Sequence, residues 1–139
     1  MTEITEELNA LCYKIVGICM EVHSSLGPGF PEEYYQKALE YEFAVNQIVF
    51  EPQKPVQVFY KEIQVGLNFL DLVVEGQLIL ELKSVRQLDN VHRFQVIKYL
   101  SATEYDAALL ANFGKESFDF ERIFPPLKIQ KFKHKKANS

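Results

Sequence analysis

The stretch from Asp71 to Lys83 constrains the chain most: two short apolar runs, 70–74 and 78–82, joined at Glu75-Gly76-Gln77. Runs of valine, leucine and isoleucine broken by a glycine-containing turn predict a β-hairpin. With a three-residue loop, Val74 faces Leu78 and Asp71 falls opposite Glu81. Period-two alternation then sets Asp71, Val73, Ile79, Glu81 and Lys83 on one face, and Leu72, Val74, Leu78, Leu80 and Leu82 on a core face. Like charges opposed across strands are destabilising, and a partly buried carboxylate costs more. Either Lys83 alone offsets that cost, or a divalent cation held between the acids does. A loop one residue longer or shorter would instead separate Asp71 from Glu81 and leave Glu81 and Lys83 as an ordinary surface pair.

A chain of 139 residues suits one domain, expected over residues 1–126, with 127–139 as a basic C-terminal tail. No apolar run approaches the ~20 residues of a membrane span, and the acidic opening Thr2-Glu3-Ile4-Thr5-Glu6-Glu7 is unlike a secretory leader. The expected location is therefore cytoplasmic. Cys12 and Cys19 are seven apart on a helical stripe, roughly 10 Å by helical rise, which suits buried thiols and rules out a disulfide between them. The net charge of −4 is uneven: residues 128–136 hold five lysines and no acid, so ten basic residues face nineteen acidic ones elsewhere. Such a body is unlike a high-affinity nucleic-acid binder, whose attachment rests on phosphate contacts. The lysine tail could add attraction or serve only as a solubilising terminus.

Leu8, Leu11, Cys12, Ile15, Val16, Cys19 and Val22 recur at three-four spacing, predicting an amphipathic helix over 5–25 with Thr2 or Thr5 as N-cap. Gly27-Pro28-Gly29 ends it, and His23 lies in its last turn, as a dipole partner or a site residue. Pro31 opens a second helix to about Ala44, with Glu32 and Glu33 matched to its positive end. Pro52 and Pro55 bracket an expected loop before the strand 56–60, and a turn at Lys61-Glu62 leads through 63–68 into the central hairpin. Asp89 caps a helix over 90–102, on which His92 and Gln95 share a face. Residues 107–113 read as a buried strand, Gly114 as punctuation and 117–123 as a last strand. The pattern is a mixed α/β (α+β) domain, a central β-sheet flanked by helices.

Gly29-Phe-Pro-Glu32-Glu-Tyr-Tyr35 fits the G-x-x-E-x-x-Y pattern, and other landmarks follow in order: Val22-His23, the Asp71–Glu75 and Leu80–Lys83 runs, His92-Arg-Phe-Gln95 with Tyr99-Leu100, and Asn112-Phe-Gly114. Across roughly 10–124 the chain resembles the GxxExxY protein family, a small branch of the PD-(D/E)xK nuclease-like superfamily. That resemblance implies a restriction-endonuclease-like core and favours the loop that sets the acids face to face. It also implies a Mg²⁺ (or Mn²⁺) dependent nuclease acting on DNA or RNA. Asp71, Glu81 and Lys83 would be its catalytic signature, with Gln95 as a supporting polar residue. Glu32, Asp71 and Glu81 would be its metal ligands. Leu70 stands where the superfamily name has proline, and Phe69 where many family members carry arginine. Two further readings follow from the acidic body and the tail: a catalytically silent module that binds a protein partner, and a nucleic-acid binder that relies on its lysines. Small domains of this fold also often act as homodimers or within larger assemblies.

Overall fold

The computed structural model describes residues 5–126; the basic tail lies outside the described residues. The element order is α1 (Glu6–Leu26), α2 (Glu32–Val45), β1 (Phe50–Tyr60), β2 (Ile63–Val74), β3 (Leu78–Lys83), α3 (Asn90–Ala102), β4 (Ala108–Asn112) and β5 (Asp119–Ile123). Thr5 caps α1, its hydroxyl accepting from the Leu8 N–H at 3.0 Å. Asp89 caps α3 as expected, accepting from Val91 and His92 N–H while the His92 ring accepts from the Asp89 N–H. His92 is thus part of a capping box, which accounts for its place in the sequence.

The five strands lie in the order β1-β2-β3-β4-β5. Neighbours are antiparallel except β3 and β4, which run parallel. A parallel pair needs a crossover, and α3 supplies it. Helices α1 and α2 bury Cys12, Ile15, Cys19, Tyr35, Leu39 and Phe43 against Leu72, Val74, Leu78, Leu80 and Leu82 on one sheet face. Helix α3 buries Val96 and Leu100 against Val73, Ile79, Ala108 and Leu110 on the other. The face carrying the acids is therefore a second core rather than an open surface. Cys12 and Cys19 are free, buried thiols in the first core. Among the described residues no helix is long and apolar enough to cross a membrane.

The Pro52–Pro55 segment differs from expectation: it belongs to β1, where Pro52 pairs with Leu72 and Pro55 with Phe69. An edge strand needs no outward N–H donors, so proline fits there. β1 and β2 outrun their neighbours. β2 pairs with β3 only over Leu72–Val74, yet with β1 along nearly its whole length. The outer part of this hairpin is consequently a two-stranded ribbon reaching past the rest of the sheet.

Candidate active site

The hairpin turns at Glu75-Gly76, both at positive φ (53° and 62°), and Val74 pairs with Leu78. This is the three-residue loop that faces Asp71 toward Glu81. The backbone ladder stops at Leu72 and Leu80, and side chains continue it. The Asp71 N–H donates to Glu81 Oε1 at 2.9 Å, and the Leu82 N–H donates to Asp71 Oδ2 at 2.8 Å.

The other side of Asp71 is also irregular. Pro52–Leu72 and Lys54–Leu70 pair, but Gln53 and Asp71 between them do not, and Gln53 holds a left-handed φ of 49°. Leu72 consequently joins the α1/α2 core while Leu70 joins the α3 core, although strict alternation would put them on one face. Gln53 reaches the Asp71 carboxylate and donates to Gln36 Oε1 at 3.2 Å; Gln36 in turn donates to the Asp71 carbonyl at 3.2 Å. A non-glycine residue at positive φ beside a half-buried carboxylate is strain of the kind functional sites retain.

Glu81 is 4% exposed. Burial, then the charge of Asp71, pushes its carboxyl from 4.5 up to about 8. Burial likewise raises Asp71, against the Leu82 N–H and the Lys83 charge that lower it. The pair thus holds a proton near neutral pH, shared between two touching carboxyl groups.

Lys83 Nζ donates to Gln95 Oε1 at 3.1 Å, joining the end of β3 to α3. Tyr99, one turn beyond Gln95, hydrogen-bonds it; burial and then the charges of Glu81 and Asp71 raise the phenol pKa. Glu32, open to solvent at the start of α2, accepts from the Ser84 N–H. Its pKa is raised by desolvation and by Asp71, and drawn back by Lys83 and His92. The five residues singled out in the sequence, Glu32, Asp71, Glu81, Lys83 and Gln95, therefore gather in one region. Gln36, Gln53 and Tyr99 belong with them; the sequence offers Tyr99 only as a landmark after Gln95 and gives no sign of the two glutamines. The i,i+4 spacing of Gln95 and Tyr99 is the signal that puts the tyrosine on the face of the site.

Tyr35, Ser84, Asn112 and Gly114 hold the region in place. Tyr35 is fully buried; its hydroxyl donates to the Gly27 carbonyl at 2.6 Å and accepts from the Phe30 N–H at 3.0 Å, fixing the loop that delivers Glu32. Ser84 Oγ clasps the Phe30 carbonyl from the β3 side at 2.6 Å. Asn112 Oδ1 accepts from both Val85 and Gly114 N–H at 3.0 Å, securing the chain just after Lys83. Gly114 passes so close to that chain that a Cβ would overlap the Val85 backbone. His23 stands apart from the acids: buried, it donates from Nε2 to the Lys115 carbonyl at 2.8 Å and packs by Phe113 and Phe118.

Among the described residues, no three Asp, Glu, His or Cys side chains converge into a ready-made metal cage. Glu32 is coupled to Asp71 through charge and does not complete a three-acid cluster. Asp71 and Glu81 still offer hard oxygen donors at a point where burial disfavours both their charges. Mg²⁺ keeps several waters and commonly takes only one or two carboxylates, so the pair fits such an ion.

No curated protein matches the sequence. The crystal structure of SSO0001 is similar in fold, with a TM-score of 0.52 at 17% identity over 77% of this chain. The chain spans 59% of that protein's length. This chain's mixed five-stranded sheet flanked by helices is a restriction-endonuclease-like core. The family model described as the PD-(D/E)XK nuclease superfamily matches residues 9–123. On a match that runs nearly the whole described length, the chain belongs to the PD-(D/E)XK nuclease superfamily.

Proposed function

We propose that this protein hydrolyses phosphodiester bonds of DNA or RNA with a divalent ion, Mg²⁺ or Mn²⁺, held by Asp71 and Glu81. The observation that carries the reading is the carboxylate pair, Glu81 buried and Asp71 half-buried, beside an ammonium group that Gln95 aims. When bound, the ion would polarise a phosphoryl oxygen and lower the pKa of an attacking water. The protein's own part is electrostatic and positional. Lys83 spends one donor on Gln95 and keeps two for a phosphoryl oxygen, where negative charge grows during hydrolysis. Gln95, buttressed by Tyr99, fixes that direction. Glu32 faces solvent at the rim and supplies a third oxygen donor as substrate closes the site. The ordered landmarks from Gly29 to Gly114 support a place in the GxxExxY branch.

The excess of nineteen acids over ten bases outside the tail favours one competing reading, a silent module bound to a protein partner. Thermal unfolding with and without Mg²⁺ or Mn²⁺, on wild type and Asp71→Asn, separates the two. A ligand that binds only the folded state raises its midpoint. Stabilisation of wild type alone, with metal-dependent cleavage lost in Glu81→Gln, is expected of the nuclease. Absence of both effects would support the silent module.

A further inference from the structure

α3 turns one stripe toward the carboxylates: His92, Gln95 and Tyr99, at i, i+3 and i+7. Gln95 holds Lys83 at 3.1 Å, and Tyr99 hydrogen-bonds Gln95. His92 stands one turn nearer the helix start, about 4.5 Å along the axis from Gln95. It is close enough to Glu32 for its charge to act on that carboxyl. The capping box occupies only one side of its ring. Nδ1 accepts from the Asp89 N–H at 3.1 Å or, when protonated, faces Asp89 Oδ1 at 3.2 Å. In either state Nε2 carries a hydrogen. That N–H has no hydrogen-bond partner among the described residues, and the side chain keeps 19% of its surface exposed. The neighbouring cation is spent: Arg93 holds Glu121 through two bonds of 2.7 and 2.6 Å.

We propose that the His92 Nε2–H binds the phosphate next to the scissile one, so that the substrate is a strand of at least two phosphodiesters and not an isolated phosphate ester. This rests on the nuclease reading, which puts the scissile phosphate at Asp71, Glu81 and Lys83. Three considerations favour it. A ring whose other nitrogen is tied to backbone presents a fixed donor, which needs no rearrangement when an oxygen acceptor arrives. The donor lies one turn from the Gln95 that holds Lys83, so it does not compete with the ammonium for one oxygen, and a strand running along α3 meets the two in succession. The acidic body outside the tail has few cations to give to phosphates, which makes each fixed donor beside the site count. Glu32 is the acid whose charge His92 feels, and in the nuclease reading it turns to the ion, which leaves the imidazole N–H to the substrate. A contact of this kind sets the register of the strand and reads no sequence.

Binding of labelled DNA and RNA strands of about 12 nucleotides to the full chain, read by anisotropy with Ca²⁺ present, tests the contact apart from any cleavage. His92→Ala should weaken binding of the preferred strand about tenfold, the loss of one hydrogen bond to a charged acceptor. Asp89→Ala breaks the same cap from its other side and keeps the imidazole. It should lower Tm at least as much as His92→Ala does, yet bind within about twofold of wild type. Kinetics with Mn²⁺ give a second readout. In His92→Ala, KM for the strand should rise with kcat within about threefold, while hydrolysis of bis(p-nitrophenyl) phosphate, which has no second phosphate, stays as in wild type. The proposal is overturned if wild type binds neither strand, if the two variants lose binding equally, or if His92→Ala slows the small ester as much as the strand. A wild type that binds strands through His92 yet cuts neither substrate would keep the phosphate contact and overturn the nuclease reading.

Discussion

Replacing Glu81 with Gln is expected to stabilise the protein at neutral pH while removing the proposed metal-dependent cleavage. In the unfolded chain this carboxyl ionises near 4.5, and in the folded chain near 8. A group whose folded pKa is raised binds more proton in the folded state throughout that window, so stability is full below about pH 4.5 and falls as pH climbs toward 8. At about 1.4 kcal/mol per unit, and allowing for partial ionisation at the lower end, wild type should lose roughly 2–3 kcal/mol between pH 5 and pH 7. For a domain of this size that is a fall of about 10 °C in Tm. Gln retains an oxygen for the Asp71 N–H, can donate to the Asp71 carboxylate, and cannot ionise. In metal-chelating buffer its Tm should vary by about 3 °C or less over the same pH range, from the same linkage, and should exceed that of wild type at pH 7. Calorimetric scans of both proteins at pH 5, 6 and 7 check this. Parallel profiles, or a Gln variant that melts lower at pH 7, would refute the account of a charge-frustrated pair.

Metal binding at that pair must displace the shared proton, so titration of Mn²⁺ at pH 7 in buffers of different ionisation enthalpy should report the release of about one proton. Gln95→Ala should lower kcat by about 10-fold or more with little change in Tm, since a misaimed Lys83 loses transition-state charge stabilisation; single-turnover cleavage alongside melting tests it. Gln53→Gly should relieve left-handed strain and hold stability within about 1 kcal/mol of wild type, while activity falls as Asp71 loses a contact. A fully active variant would show that Gln53 has no part in the site. Gly114→Ala should cost about 2 kcal/mol or more in denaturant unfolding, because a methyl there meets backbone, which has nowhere to give.

What the sequence made legible was local. Asp89 and the periodicity after it placed α3 over the observed 90–102, and the short turn set the register of Asp71 against Glu81. Both signals are fixed within a few residues by capping and loop length. Pro52 and Pro55 misled because their meaning depends on position in a sheet: in an edge strand they are tolerated, and only the strand order reveals the edge. The acids' face was expected to lie opposite the core, whereas α3 packs there too, a fact carried by the parallel crossover and by no residue of the hairpin. Gln36 and Gln53 are ordinary polar residues until tertiary structure brings them to Asp71. Asn112 and Gly114 could be noticed as landmarks, but their reason lies in a backbone approach across the β3–β4 pair.

The strand order also sets a sequence of events in time. β1, β2 and β3 are joined by turns of two and three residues, so their pairing closes only small loops. β4 pairs with β3 across the α3 crossover, a longer closure, and α1 and α2 pack on the central strands from before β1 in the chain. Local contacts form faster than distant ones. Asp71 and Glu81 are thus expected to meet early in folding, before the helices that dry their surroundings dock, and both would ionise freely while water still reaches them. Gln95 and its grip on Lys83 come late. A refolding experiment that starts at pH 8 should accordingly have its slowest step where the carboxylates are enclosed, and a drop to pH 6 in mid-reaction should speed that step.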